Sequence, residues 1–392
     1  MPFTGQSVMD SRLGFVAACL GKEVSISQLC VQYGISRKTG YKWLHRYHAY
    51  GAAGLEEQSR APKTVPWRVS CEIEAAILYL RERHPTWGPR KLRARLVLDN
   101  PDRDWPAAST IGDLLQRQGL VRTQHVQRPR GERDTQLLAP QAANDAWSAD
   151  YKGWFRTGDG VRCEPLTITD NFSRFLICCQ AVPRTDLESA KPLFERAFRD
   201  FGLPARLRTD NGHPFGMSRG LGGLTRFSVW LVKLGIMPEF IIPGRPDQNG
   251  RHERMHRTLG EDTAAQPAQT LCEQQARFDS WRHDYNHYRP HEALEQVCPA
   301  SLYTASDRSF PERITEWEYP ADHYVLPVTV KGLVRWRNQS LYISEALGNE
   351  TVALAQRDDG DWTIRFRWIE LATVSDETTQ IMRSKLARTS QL

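Results

Sequence analysis

The 392-residue chain has 52 Lys+Arg against 46 Asp+Glu, 40% hydrophobic and 25% charged residues, an ordinary globular composition that is too long for one core and suits roughly two to four domains. No apolar run approaches the roughly 18 residues of a membrane span, MPFTGQSVMD has no basic start followed by an apolar block, and 8 cysteines without a C-x-x-C pair argue against a disulfide or zinc framework. The expectation is a cytoplasmic protein, nucleoid-associated and without a membrane partner, because residues 1–140 hold 21 Lys+Arg against 13 Asp+Glu while the remainder holds 31 against 33, a basic first third suited to a polyanion.

Apolar residues at helical spacing run from Met9 to Lys22, a short second helix starts at Ser25-Ile26 and ends near Gly34, and Ser36 is placed to cap a third helix from Arg37 to Tyr50. Arg37, Lys38, Thr39 and Lys42 then stand at the start of that helix, while Tyr41, Trp43 and Leu44 offer packing surface. This is helix-turn-helix logic over residues 1–60, with a DNA-reading third helix; the plainer alternative is a three-helix bundle with a solvated basic face. After the Pro-punctuated Ser59–Lys63 stretch, helical spacing returns at Cys71–His84, Pro89–Asp99 and Ser109–Gly119. Arg90, Lys91, Arg93 and Arg95 crowd the middle helix, which makes residues 61–122 a second helical, helix-turn-helix-like unit. Residues 123–142 are polar and aperiodic, as a linker is.

From Ala146 the pattern changes to strands alternating with helices. Strands are expected over Trp147–Phe155, Pro165–Thr169, Arg174–Val182, Ala205–Thr209 and Met237–Ile242, with helices at Asp186–Phe201, Leu224–Leu234, Asn249–Thr263 and Leu271–Tyr285. The succession implies an α/β sandwich with its sheet covered by helices. Further on, Trp362, Ile364, Phe366 and Trp368 alternate with Thr363, Arg365 and Arg367, and Val334 and Trp336 with Arg335 and Arg337. About five short strands separated by turns make residues 320–378 a small all-β barrel. Its arginine face suits either DNA backbone or solvent.

Three acids fall where this layout would gather them. Asp150 lies in the first strand, Asp210 directly follows the strand Ala205–Thr209, and Glu253 falls in the first turns of the helix after Asn249-Gly250. The gaps are 59 and 42 residues, so neither is local. Cutting or joining a phosphodiester needs an activated oxygen, a stabilised leaving oxygen and charge neutralisation. Two divalent cations about 4 Å apart supply all three, and hard carboxylate oxygens suit magnesium or manganese.

The segments Trp147–Tyr151, Thr209–Gly212 and Asn249–Arg254 resemble the three catalytic motifs of the integrase-core transposases of insertion sequences. Ile168–Arg174 is similar to that family's hairpin between the second and third strands, and Tyr285–Leu294 to its closing motif. The resemblance covers about 160 residues and implies that residues 143–305 form a ribonuclease H-like α/β core with a mixed sheet, shared with retroviral integrases. It implies that Asp150, Asp210 and Glu253 are the catalytic residues and hold two Mg2+ (or Mn2+) ions, and that Arg251 and Arg254 stand near enough to touch phosphates. It also implies a transposase that nicks and joins double-stranded DNA, acting on the ends of a mobile element and on target DNA, as a homo-oligomer on DNA. Two other readings compete: a DNA-binding repressor on an inactive core, and a hydrolase of RNA·DNA hybrids. Asp170 is assigned to the hairpin turn. The long second gap makes Gly216–Gly223 an insertion, and no zinc is expected at His45 and His48, which lack a C-x-x-C partner.

Overall fold

The structure, a computed structural model, describes residues 7–57, 69–121, 138–210, 212, 214–216, 221–241, 249–377 and 381–383. The Ser59–Lys63 stretch, most of the 123–142 linker and residues 217–220 of the Gly216–Gly223 insertion lie outside the described residues. The chain divides into two units, Met1–Arg68 and Val69–Leu392.

In the first unit, helices α1 (Val8–Gly21), α2 (Ile26–Gln32) and α3 (Arg37–Tyr50) surround Phe15, Val16, Leu29, Cys30, Trp43 and Leu55. Ser7 and Ser25 close capping boxes, and Ser36 accepts from the Thr39 amide at 3.1 Å, which fixes where α3 begins. Gly34, at φ 62°, turns the chain between α2 and α3. Gly40 is buried, and a Cβ there would meet Cys30 Sγ at 2.6 Å, so close approach of α3 to its neighbours requires glycine. Trp43 packs inward as expected, but Tyr41 is exposed. The inward row is Gly40, Trp43 and Tyr47, spaced at three and four residues, and Tyr41 lies off it.

The second unit opens with α4 (Cys71–Arg83), α5 (Pro89–Asp99) and α6 (Ala108–Arg117), packed around Ile77, Leu92 and Ile111. Next comes a mixed sheet of β1 (Ala146–Tyr151), β2 (Phe155–Arg156), β3 (Arg162–Asp170), β4 (Leu176–Val182), β5 (Arg206–Thr209) and β6 (Met237–Phe240). β3 pairs antiparallel with β1 and β4, whereas β5 runs parallel to β1 and β6 parallel to β5. The single long first strand read from Trp147 to Phe155 is broken: Gly153 at φ 92° separates β1 from β2.

Helices α7 (Leu187–Phe201) and α8 (Arg226–Lys233) cover one face, where Phe194, Phe198 and Phe227 pack with Trp147, Ile168 and Leu207. Helices α9 (Gly250–Leu259) and α10 (Leu271–His283) cover the other through Met255, Leu259 and Phe278 against Cys163, Leu176 and Cys179. This is the ribonuclease H-like arrangement. Each of these two helices runs on into a π turn, Gly260–Ala264 and Asp284–Tyr288. Alternation along β1 sends Trp147 and Ala149 to the α7/α8 face and Ser148 and Asp150 to the opposite one.

The C-terminal region is a five-stranded antiparallel sheet of β7 (Tyr324–Pro327), β10 (Thr351–Gln356), β11 (Trp362–Phe366), β12 (Ile369–Val374) and β13 (Ile381–Arg383), with a hairpin of β8 (Leu333–Trp336) and β9 (Gln339–Tyr342). Sheet and hairpin share one core, with Trp362, Ile364 and Phe366 inward as their alternation requires. The arginines do not form one free face. Arg335 and Arg337 are exposed, but Arg367, at φ 52°, donates to Lys233 O and Thr315 O at 2.9 Å each and ties the region to the core.

Candidate active site

Parallel pairing of β1 with β5 ends at Ser148 opposite Arg208, and two residues further along each strand come Asp150 and Asp210. Asp150 is half-buried opposite Thr167 of β3. Burial and the negative charges of Asp210 and Glu253 push its carboxyl up to about 7, against a hydrogen bond from the Tyr151 backbone. Burial also raises Asp210, whose Oδ1 accepts from the Gly212 amide at 3.2 Å. A Cβ on Gly212 would meet that carboxylate at 3.0 Å, so glycine lets the amide approach. Glu253 is exposed on α9. Among the described residues no Lys, Arg or His forms an ion pair with any of the three acids.

Such a group of acids, two half-buried and one exposed, with no ion-paired cation among the described residues, has the donor chemistry for a hard divalent metal. The fit is incomplete: among the described residues no three His, Cys, Asp or Glu side chains lie close enough together to hold one ion. The charges of Asp210, just past the end of β5, and of Glu253 on α9 are both felt at Asp150.

What locates that helix is a polar contact inside an apolar layer. Thr167 Oγ1 lies 3.1 Å from Asp150 O, 2.7 Å from His252 Nε2 and 2.7 Å from His256 Nε2, and Thr169 Oγ1 lies 2.9 Å from His252 Nδ1. A hydroxyl carries one proton. With that proton on Asp150 O, both imidazoles donate through Nε2–H, and Nδ1 of His252 accepts from Thr169. His252, donating at one nitrogen and accepting at the other, is therefore neutral. Burial first, then the charge of the other imidazole, holds His252 well below its ordinary value, and burial with the Lys152 charge pushes His256 down to about 3. One hydroxyl thus joins the strand of Asp150 to the helix of Glu253.

Upstream of Asp150, Ser148 and Asn171 bond each other's side chains at 3.1 and 2.9 Å. Asp170 is occupied in the turn, accepting from the Asn144 amide and from Ser173 N and Oγ at 2.8, 2.7 and 2.6 Å. The residues read as DNA contacts are spread over both units. Arg37, Lys38 and Lys42 are exposed on α3, with Lys42 Nζ 4.5 Å from the Trp43 ring, while Thr39 bonds Ser36 within the cap. Arg90 is ion-paired with Glu292 at 2.9 Å. Lys91 is pushed down to about 8 by burial and by the charges of Arg289 and Arg254. Arg254 is exposed, and Arg251 donates to Asn171 O at 3.1 Å. Arg95 faces the core, donating to Tyr288 O at 3.2 Å. Sequence reading missed Thr167, Thr169, His252 and His256, although the histidines stand four apart on one helix and the threonines two apart on one strand.

Family models match four segments of the chain: an integrase core domain over residues 140–246 and again over 234–299, a helix-turn-helix domain over 11–63 and a homeodomain-like domain over 39–115. An uncharacterized protein of insertion element IS476 from Xanthomonas euvesicatoria is 26% identical over 269 residues, 68% of this chain and 75% of that protein. One of insertion element IS407 from Burkholderia multivorans is 30% identical over 169 residues, 43% of this chain and 58% of that protein. Among solved structures, a chain of the simian T-cell lymphotropic virus intasome in complex with PP2A regulatory subunit B56 gamma is 17% identical with a TM-score of 0.35, covering 79% of this chain and 96% of that one. The HTLV-2 integrase catalytic core domain in complex with magnesium is 14% identical with a TM-score of 0.32, covering 41% and 97%.

Proposed function

Because the chain belongs to the integrase-core family of insertion elements, we propose that it is a transposase that nicks and joins double-stranded DNA at the ends of such an element. The observation that carries this reading is the placement of Asp150 and Asp210 at the ends of adjacent parallel strands, with the charge of Glu253 felt at Asp150 and no Lys, Arg or His among the described residues ion-paired with them.

In this reading Asp150 and Asp210 bind two magnesium or manganese ions and Glu253 completes the set from α9. Bound there, the ions supply Lewis-acid activation of the attacking oxygen and neutralise charge at the phosphorus. The Thr167 contact holds α9 against β3 so that Glu253 faces the strand ends. Arg37, Lys38, Thr39 and Lys42 read the terminal inverted repeats from α3, and Arg90, Lys91, Arg251 and Arg254 meet phosphates. The protein works in the cytoplasm at the nucleoid, as a homo-oligomer assembled on DNA, since two ends must be joined. Domain limits of 1–60, 61–122, 143–305 and 320–378 accompany this division of labour.

Purified protein with magnesium is expected to nick and join a duplex bearing an element end, and Asp210→Asn to abolish both steps. Persistent activity in that variant refutes the site. That no three His, Cys, Asp or Glu side chains among the described residues group closely enough for one ion favours one competing reading, a DNA-binding repressor on an inactive core. Tight, sequence-selective binding without cleavage in magnesium or manganese would establish it.

A further inference from the structure

Two guanidinium groups converge on one neutral oxygen beside the carboxylates. Arg174, in the turn between β3 and β4 at φ 65°, places Nη1 2.5 Å from Asn171 O, and Arg251, in the first turn of α9, places Nη1 3.1 Å from the same atom. Among the described residues neither has an Asp or Glu within ion-pair distance. Asp170, the carboxylate whose charge Arg174 feels, is already engaged by Asn144 and Ser173. Arg251 instead feels a third cation, Arg208, which is itself committed to Glu239.

A single arginine on Asn171 O would suffice to fasten the hairpin. A second one, brought in by a different element, adds charge repulsion for one more bond to a carbonyl that carries no charge. Each guanidinium has five N–H donors and spends one there. The same place collects a further positive end: Asn249 gives α9 no side-chain cap, and an arginine in a first turn is disfavoured by the helix dipole unless an anion is near.

We propose that Arg174 and Arg251 together form a binding site for a DNA backbone phosphate next to the one being cut. A tetrahedral dianionic or monoanionic oxygen group can bridge two guanidiniums, which a planar carbonyl cannot satisfy. The location fits: Arg251 lies two residues before Glu253, and Asn171 bonds Ser148, two residues or about 7 Å before Asp150 along β1. A strand laid over the carboxylates therefore passes this pair. The site rests on the DNA-processing reading above, which is separable from it by experiment.

The test measures binding of the full chain to a fluorescent duplex carrying an element end, in calcium to suppress cleavage, across a salt series. Arg251→Gln and Arg174→Gln are each expected to weaken binding about 5- to 20-fold and to reduce the slope of log K against log salt by about one, one phosphate contact's worth. The double variant should be little worse than either alone, since both grip one group. Arg226→Gln on α8 serves as the charge control and should change neither quantity. Because Arg174 also fastens a turn, Arg251→Gln on the exposed helix surface decides, with its melting temperature as the check on folding. A folded Arg251→Gln with wild-type affinity and slope overturns the site. A wild-type protein that binds no duplex at all overturns the DNA reading instead.

Discussion

The hydroxyl of Thr167 lies 2.7 Å from Nε2 of His252, inside a layer that is otherwise apolar, and the same oxygen meets His256 at 2.7 Å and the carbonyl of Asp150 at 3.1 Å. Thr167→Val keeps the shape and removes every one of these bonds. Two imidazole N–H groups and a carbonyl would then be buried unpaired, at about 1–3 kcal/mol for each group that water does not rescue. The expected result is a destabilised protein whose cleavage rate falls far more than its affinity for duplex, because α9 loses its register on β3. Thr167→Ser should restore both. Denaturant titration beside single-turnover cleavage checks this, and an unchanged denaturation midpoint in Thr167→Val would mean that the contact does not exist.

Acid should loosen the same latch. His256 has a folded value pushed down to about 3 against an ordinary 6.5, so between those limits the unfolded chain binds the extra proton and the folded one refuses it. Stability is fully present above pH 6.5 and is lost as pH falls toward 3. His256→Gln, which keeps a donor and cannot titrate, should flatten part of that loss. Melting temperatures from pH 7 to 4 would show the difference; parallel curves for the two proteins would disprove a buried neutral imidazole.

Asp150 titrates with the opposite sign. Its folded value of about 7 lies above the ordinary 3.8, so between pH 4 and 7 the folded state holds the proton more tightly. In metal-free protein this acid costs stability as pH rises, with the full penalty present above 7. Asp150→Asn should therefore raise the metal-free melting temperature by several degrees at pH 8 and by almost nothing at pH 4. Magnesium or manganese should raise the wild-type value at pH 8 and leave the variant unmoved, since metal and proton compete for one carboxylate. A metal-independent wild-type melting curve at pH 8 would remove the metal from the proposal.

In the first unit the tightest constraint is steric. A methyl group on Gly40 would stand 2.6 Å from Cys30 Sγ and 2.9 Å from Phe15 Cζ. Gly40→Ala should force α3 away from α1 and α2, at about 1–3 kcal/mol. Sequence-selective duplex binding is expected to fall while cleavage of a minimal substrate at high protein concentration is retained. Wild-type resistance of residues 7–57 to proteolysis in this variant would show that the helices have room to spare.

Features with a short-range cause could be read from the chain alone. The start of α3 follows from the Ser36 cap, the hairpin at Asn171 from Asp170 bonding Ser173, and the inward side of β11 from period-two alternation. Features decided by a distant partner could not. Tyr41 looked like core until the inward row of α3 was set by Cys30 and Phe15. Arg367 looked like a free charge but reaches Lys233 O, 134 residues away. The candidate site shows both sides: the three motifs mark the acids, but the level of Asp150 with Asp210 comes from parallel pairing across 59 residues, and the charge of Glu253 reaches Asp150 because α9 docks on β3.

Arg95 is the remaining case in which a basic residue suggests nucleic acid and does something else. Its guanidinium centres 4.2 Å above the ring of Tyr288, donates to the Tyr288 carbonyl at 3.2 Å and pairs with Asp99. Tyr288 ends the π turn after α10 and packs with Trp87 and His84, so this one stack joins the α4–α6 helices to the closing segment of the core. A cation over an aromatic ring, partly desolvated, is worth about 1–2 kcal/mol, and its fork also holds the carbonyl. Arg95→Ala should therefore let α4–α6 melt before the core, splitting one unfolding transition into two, whereas Arg95→Lys keeps the charge and recovers only part of the coupling. The salt dependence of duplex binding should stay as in the wild type. A fall of that slope by about one in Arg95→Ala, with a single unfolding transition, would show instead that Arg95 leaves Tyr288 to meet a phosphate.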